Sequence, residues 1–297
     1  MTGVRIDDTF AEAFDMRGTA LIVTAPTAHW ARQAAISATG FATSIIACGV
    51  EAGIDRALAA EETPDGRPGV RVLLFAGSTE ELQRQLVNRV GQCVLTAAGS
   101  ACFAGLDGER RLKLGDGLRY FADGFQISKR LGERHYWRLP VMDGEFVCEA
   151  TTGLTEGAVG GGNLILMATS ADSALRAAES AAAAIAAVPD AIAPFPGGIV
   201  RSGSKVGSKY KALMASTNHH YCPTLRGAVD SALDPDTVSV LEIVIDGLTP
   251  DAVAAAMRAG LAACLALGPE RGAARVGAGN YGGKLGRHHF HLRDLSA

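Results

Sequence analysis

The sequence predicts an α+β fold: two ferredoxin-like (split βαβ) lobes related by internal duplication, with β-hairpin insertions between them. Three observations carry this. The chain has 297 residues, 48% of them apolar, which is enough to bury a core in each of about two domains. Short β-branched runs alternate with helix-periodic segments in the order β-α-β, β-α-β. The second half of the chain then repeats that order.

In the first half, TALIVTA (19–25) reads as a strand and PTAHWARQAAISATGF as a helix. ATSIIACGVEAGI reads as a second strand running into a glycine turn, and RPGVRVLLFAG as a third. STEELQRQLVNRVGQCV has a Ser or Thr N-cap and an acid in its first turn, and VLTAAGSACF closes the set as a strand. Residues 104–150 are rich in charge and glycine, with short alternating stretches that suggest inserted hairpins. The boundary falls near residue 150, giving domains 1–150 and 151–297. In the second domain, GGNLILMAT is a strand, SADSALRAAESAAAAIAAV a helix, and FPGGIVRSG a strand running into a loop. VSVLEIVID, LTPDAVAAAMRAGLAACLAL and AARVGAG follow as strand, helix and strand. Laying VRVLLFAGSTEELQ over VSVLEIVIDGLTPDAV sets Gly77 over Gly247, Thr79 over Thr249 and Glu242 over Val72.

Composition excludes several classes. A formal net charge of −3 gives no basic footprint for nucleic acid or an anionic membrane. No uninterrupted apolar run reaches the ~18 residues of a membrane span; the closest, SAAAAIAAVPDAIAPF, is broken by Pro189, Asp190 and Pro194. MTGVRIDDTFAEAF carries acids where a signal peptide needs an apolar core, so a cytoplasmic protein is expected. The six cysteines form no C-x-x-C pair and read as reduced thiols. GAGNYG (277–282) spells G-x-G-x-x-G, but too little chain follows for a dinucleotide unit, and GIVRSGSK misses the Walker spacing. His289 and His291 would share a strand face but lack a companion ligand, so no metal is expected, and no G-x-S-x-G elbow supports a hydrolase triad.

The informative block is FPGGIVRSGSKVGSKYKALMASTNHHYCPTL (195–225). Its glycines, Gly197, Gly198, Gly203 and Gly207, sit among Ser202, Ser204 and Ser208 and the cations Arg201, Lys205, Lys209 and Lys211. Bare backbone with hydroxyls and cations wraps closely around carboxylate or phosphate oxygens. The block also carries Tyr210, Asn218 and Tyr221, and it lies between apolar strands, which favours a binding loop over an idle linker. Cys222 stands beside His219 and His220 without an evident orienting group, so packing is the simpler role. Glu242, inside the apolar VSVLEIVIDG, is either a paired ion or a neutral acid of raised pKa.

DDTFAEAF, CGVEAGI, PFPGGIVRSGSKVGSKYK, ASTNHHYCPTL, EIVIDG and AGNYGGKLG together resemble the formylmethanofuran:tetrahydromethanopterin formyltransferase family, over about residues 6–292. The resemblance implies a formyltransferase that needs no bound prosthetic group. It moves a formyl group between methanofuran and N5 of tetrahydromethanopterin, its two carrier substrates, through a tetrahedral intermediate. It implies a homo-oligomer, dimer or tetramer, of paired ferredoxin-like lobes, and a catalytic glutamate that matches Glu242 by context. Both carriers bear anionic tails, a task for the cations Arg201, Lys205, Lys209 and Lys211; the candidate substrate-binding residues are Arg201, Ser202, Ser204, Lys205, Ser208, Lys209, Tyr210, Asn218 and Tyr221, with Asn218 or Tyr221 as added donors at the intermediate. The alanine-rich, mildly acidic composition resembles the bacterial, methylotroph-type branch. There the transfer serves formaldehyde oxidation, runs toward methanofuran, and involves a complex with a formylmethanofuran hydrolase. Two rival readings stand beside it: a non-catalytic carrier-binding or scaffold subunit, and a cysteine-dependent amidohydrolase using Cys222.

Overall fold

The computed structural model describes residues 3–296; Met1, Thr2 and Ala297, at the outer limits of the expected domains, lie outside. The fold is mixed α/β with extensive sheet. The chain forms two compact units, one of Met16–Ala158 with Gly247–Thr249, the other of residues up to Asp15, Val159–Asp246 and everything from Pro250 onward. The division thus falls after Ala158 rather than near 150, and the N-terminal stretch groups with the second half of the chain. Pairing explains the latter: Arg5–Ile6 lie parallel to Arg275–Val276, and residues 10–13 pair with the strand of residues 288–291.

The first unit takes β1 (Phe10–Thr24) from Met16 onward, then α1 (Ala28–Thr39), β2 (Glu51–Leu58), β3 (Gly69–Ala76), α2 (Thr79–Arg89) and β4 (Ala101–Ala104). All neighbours are antiparallel, in the order β4-β1-β3-β2. The helices start where hydroxyls satisfy free amides: Thr27 accepts from Trp30 N and Ser78 from Glu81 N. Ala31, Ala35, Leu82 and Leu86 then bury against Val70, Val72 and Leu74 of β3. Each fully buried leucine there contributes about 1.5–3 kcal/mol. ATSIIACGVEAGI departs from the expected strand. Ser44 caps a single turn, Ile45–Cys48, which Gly49 ends in the left-handed region at φ 74°, and the strand begins only at Glu51. Two hairpins, β5 (Ile127–Leu131) to β6 (Arg134–Val141) to β7 (Gly144–Glu149), occupy the insertion, and β7 joins β4 in parallel.

The second unit takes β8 (Thr155–Ala168) from Val159 onward, α3 (Ala171–Ile185) and β9 (Ala191–Ile192). A long connection follows, carrying a small hairpin of β10 (Ser204–Val206) and β11 (Ala215–Thr217). The unit is completed by β12 (Ser239–Gly247), α4 (Pro250–Leu267), β13 (Arg275–Gly277) and β14 (His288–His291). β12 pairs with β8 and β9, and β8 with β13, giving the order β13-β8-β12-β9. FPGGIVRSG is not the expected strand. Gly197 and Gly198 adopt φ 63° and 79°, and only Val200 bridges to Glu242. A Cβ on Gly198 would stand 3.1 Å from Ala182 Cβ, a tight approach to α3 that adds to the strain a side chain would meet at this positive φ. α4 is long and apolar enough to cross a membrane by composition alone, yet Val253, Ala256, Met257, Leu261 and Cys264 bury it in the core with α3.

The two centre strands correct the overlay of the halves. Val70, Val72 and Leu74 face the helices of the first unit, as Ile243 and Ile245 face those of the second, and Glu242 lies on the opposite side. The overlay of Glu242 on Val72 is therefore one residue out of register, and a slip of one inverts every side chain. Matching Ser78 to Thr249, each just before its helix, sets Glu242 over Arg71 instead. Arg71 is itself ion-paired, at 2.6 Å, to the buried Asp55.

GAGNYG is followed by a clamped loop and not by a helix. Asn163 Oδ1 accepts the Gly279 amide at 2.6 Å, and its Nδ2 donates to the Gly279 carbonyl at 3.1 Å. Beyond that point Glu12, 1% exposed, accepts four amides: Tyr281 and Gly283 on Oε2 at 2.6 and 2.8 Å, Leu285 and Gly286 on Oε1 at 2.7 Å each. Burial alone would raise its pKa, but the four amides outweigh it and hold the group at about 2, down from 4.5. A carboxylate depressed in the fold stabilises fully above about 4.5, and that contribution is lost as pH falls toward 2. Glu12→Gln, which turns an NH₂ toward two of the amides, is expected to destabilise the protein by about 1–3 kcal/mol at neutral pH. Urea unfolding near pH 7 and pH 3 checks this. The gap between the two proteins narrows at the lower pH, and an equal gap at both would rule out the charge as its source.

Candidate functional site

Alternation along β12 positions Glu242. Ile243 and Ile245 anchor the strand in the core, so the neighbouring carboxylate projects from the other face. Its backbone is fixed by two bonds with Val200, Val200 N to Glu242 O at 2.7 Å and Glu242 N to Val200 O at 2.9 Å. This bridge brings the glycine-rich block against the strand. Arg201, Ser202, Asn218, Tyr221 and Ile165 line a cavity of about 40 Å³ with Glu242. That space admits roughly one water-sized group.

Burial pushes the Glu242 carboxyl from 4.5 up to about 7, and no hydrogen-bond or ion-pair partner for it is found among the described residues. A paired ion, one of the two readings left open by the sequence, thus has no counterpart among the described residues, and burial acts on the carboxyl in the direction of the neutral acid. Tyr221 lines the same cavity, and the charge of Glu242 acts on both Tyr221 and Tyr281. Tyr221 is raised by burial and by Asp7, with Arg275 opposing and Glu242 adding to the rise. Tyr281 is raised by burial, then by Glu242 and Glu12.

The remaining predicted residues lie further along the block. Ser204 and Lys205 stand on β10 opposite Thr217 and Ser216. Ser208 Oγ accepts the Tyr210 amide at 3.0 Å in the turn, where Lys209 and Tyr210 are exposed. Ser208, Lys209 and Tyr210 thus belong to the hairpin tip and not to the cavity wall. Arg201, Lys205, Lys209 and Lys211 form no ion pair among the described residues, which leaves their charge available to an anion. The pKa of His219 is lowered by desolvation and by the charges of His220 and Lys205.

Cys222 also lines the cavity, with its thiol donating to Asn218 O at 3.5 Å and 3.6 Å from Thr217 Oγ1. Neither adjacent histidine bonds to it among the described residues; His220 Nδ1 meets Asp230 O instead. The nucleophile–base pair an amidohydrolase requires is not assembled there. A larger cavity of about 820 Å³ lies in the first unit against Leu95, Phe121 and Val141; its one titratable group, Asp143, is bound to the Gly99 amide at 2.7 Å. It carries no reactive constellation. His289 and His291 do share a face, both resting on the Phe10 ring at 4.8 and 5.0 Å. Tyr281 and Glu12 escaped the sequence reading, although DDTFAEAF and AGNYGGKLG both stand out as motifs; only their separation in the chain hid the connection.

Known proteins resemble this chain along nearly its whole length. Residues 1–141 match the family described as formylmethanofuran-tetrahydromethanopterin formyltransferase, and residues 144–295 the one described as FTR, proximal lobe. A Methylorubrum extorquens protein, described as one of the subunits of a formyltransferase/hydrolase complex, is 58% identical over 300 residues, covering 99% of this chain and 96% of the relative. The formylmethanofuran–tetrahydromethanopterin formyltransferase of Methylococcus capsulatus is 58% identical over 297 residues, covering 100% and 99%. The crystal structure of the M. extorquens formyltransferase/hydrolase complex with methylofuran contains a chain that matches at a TM-score of 0.97 and 58% identity, covering 99% of this chain and 97% of that one. The Methanosarcina barkeri enzyme matches at a TM-score of 0.93 and 44% identity, with 98% of each chain covered. The chain belongs to the formylmethanofuran–tetrahydromethanopterin formyltransferase family.

Proposed function

We propose that this protein transfers a formyl group between methanofuran and N5 of tetrahydromethanopterin, with Glu242 as the group that manages the proton. The observation that carries this is a carboxyl with no partner among the described residues and a pKa near 7, set in a cavity with Arg201, Ser202, Asn218 and Tyr221. In either direction the acceptor nitrogen attacks the formyl carbon. A C–N bond forms and the carbonyl π pair moves to oxygen, giving a tetrahedral intermediate. Collapse returns that pair to carbon and breaks the bond to the donor nitrogen. The acceptor nitrogen loses one proton and the donor nitrogen gains one. A carboxyl that titrates near neutrality can take the first and supply the second without a large free-energy step either way. Asn218 and Tyr221 supply hydrogen-bond donors on the same side.

The cations form the second element of the proposal. Arg201 and Lys205 lead outward from the cavity to Lys209 at the hairpin tip, a path that suits the anionic tail of a carrier. We further read each unit as ferredoxin-like and the pair as a duplication, supported by the matching orders β4-β1-β3-β2 and β13-β8-β12-β9. A homo-oligomer in the cytoplasm and association with a formylmethanofuran hydrolase complete the proposal. For the last, support comes from the M. extorquens relative, described as belonging to such a complex.

Steady-state assay with formylmethanofuran and tetrahydromethanopterin tests the assignment. Glu242→Ala is expected to lose about 10²–10⁴-fold in turnover. Near-normal turnover would remove Glu242 from the chemistry, and partial retention in Glu242→Gln would favour hydrogen-bond donation over proton transfer. The same carboxyl has a stability signature of opposite sign to that of Glu12. An acid raised in the fold destabilises nothing below about 4.5, increasingly so up to about 7, and fully above that. Glu242→Gln is therefore expected to be more stable than the parent near pH 8 and equal to it near pH 4.5. At roughly 1.4 kcal/mol per pKa unit, the rise from 4.5 to about 7 corresponds to a gain on the order of 3–4 kcal/mol. Thermal unfolding across that range reads it, and a pH-independent gap would count against a neutral Glu242. Lys205→Ala and Lys209→Ala should each raise KM for tailed carriers about 2–5-fold, as expected for exposed charge pairs, and leave tail-less analogues unaffected. Equal effects on both substrates would dismiss tail binding.

A further inference from the structure

The glycine loop that closes the second unit borders the site just described. Gly277 pairs with Ile165 across β13 and β8, and Ile165 lines the Glu242 cavity. A Cβ on Gly279 would stand 3.6 Å from Ile165 Cδ1, so the loop backbone lies directly over a residue of the cavity wall. Asn163 fixes that point, and the four bonds to Glu12 fix the rest of the loop. The path is narrow. Gly282 and Gly283 sit at φ 76° and 71°, and a Cβ on Gly286 would come within 2.4 Å of Ala13 O. Tyr281 stands between the two clamps. Its amide is held by Glu12, its ring lies 5.9 Å from that of Phe14, and its hydroxyl has no hydrogen-bond partner among the described residues. A phenol keeps its proton at neutral pH, and the charges of Glu242 and Glu12 act further in that direction, so the hydroxyl is a hydrogen-bond donor.

We infer that the loop of residues 279–286 is a wall of the transfer site, that Tyr281 donates a hydrogen bond to the formyl oxygen as it gains negative charge, and that Glu12 is a positioning residue acting through Tyr281. The inference rests on the transfer activity proposed above and adds to it a donor and the device that aims it. The proton stays on the Tyr281 oxygen throughout. Its contribution is to hold charge that exists only between attack and collapse, which lowers the barrier without tightening substrate binding. Glu12 touches neither carrier; it sets where the Tyr281 backbone sits.

The test compares the parent protein, Tyr281→Phe, Glu12→Gln and the double variant in the transfer assay, with thermal unfolding and amide hydrogen exchange alongside. Tyr281→Phe is expected to lower kcat about 10²-fold, in the range for loss of one oxyanion donor, with KM within about twofold. Its unfolding should be unchanged, because the loop bonds use amides and not the hydroxyl. Glu12→Gln is expected to lower kcat by a similar factor and to speed exchange at the amides of residues 281, 283, 285 and 286. The double variant should be no slower than Tyr281→Phe alone, since both losses act through one group. A Tyr281→Phe kcat within about threefold of the parent overturns the donor role. Additive losses in the double variant, or unchanged exchange in Glu12→Gln, overturn the positioning role. A parent protein with no transfer activity on the two carriers would fail the functional reading and the donor role with it. The exchange measurement would still decide whether Glu12 fixes the loop, so the two failures are distinguishable.

Discussion

The second unit depends on the two-residue period of its central strand. β12 can give Ile243 and Ile245 wholly to the core because the intervening positions answer to a different environment. That division lets the apolar side chains anchor the strand, and the carboxylate shares the anchorage without sharing the surroundings. The bridge to Val200 then brings the glycine-rich block against the strand, so Arg201, Ser202, Asn218 and Tyr221 line one cavity with the acid. Were the strand shifted by one residue, Glu242 would enter the core and an isoleucine would face the block.

Two glutamates of the same unit show how far environment decides chemistry. Glu12 is almost wholly enclosed, yet four amides make it one of the stronger acids in the chain. Glu242 retains more surface but meets no donor among the described residues, and it is held near neutrality. Burial acts in the same direction on both; the difference is the hydrogen bonds. The first is permanently charged and serves as a fixed structural anion. The second can change charge at little cost, which suits a proton carrier.

Much of this was legible in the sequence, for reasons that can be named. The helices announced themselves through hydroxyl caps and 3.6-residue periodicity, and the strands through β-branched runs. Glu242 stood out because a carboxylate in the middle of VSVLEIVI breaks an apolar pattern. The failures are equally physical. Ile45–Cys48 is a short apolar run, in which a strand and a helical turn look alike until Ser44 is recognised as a cap. VRVLLFA has no alternation to fix its register, so an overlay anchored on Gly77 and Thr79 slipped by one place, and Ser78 was the better anchor. The composition of the glycine-serine-lysine block could not separate residues of the cavity wall, such as Asn218, from Ser208, Lys209 and Tyr210 at the hairpin tip. Glu12 and Tyr281 were beyond reach because the bond that unites them spans 269 positions.

That span bears on how the protein is made. A ribosome exposes Glu12 early, but the amides that satisfy it at Leu285 and Gly286 emerge 273 and 274 residues later. Until then the carboxylate must remain hydrated, and the strand around it cannot bury its surroundings completely. The nascent chain can fold its first unit well before this closure, whereas the second unit waits for nearly the whole polypeptide. Assembly of the reactive face is thus a late event in synthesis, and a chain interrupted before residue 286 cannot complete it.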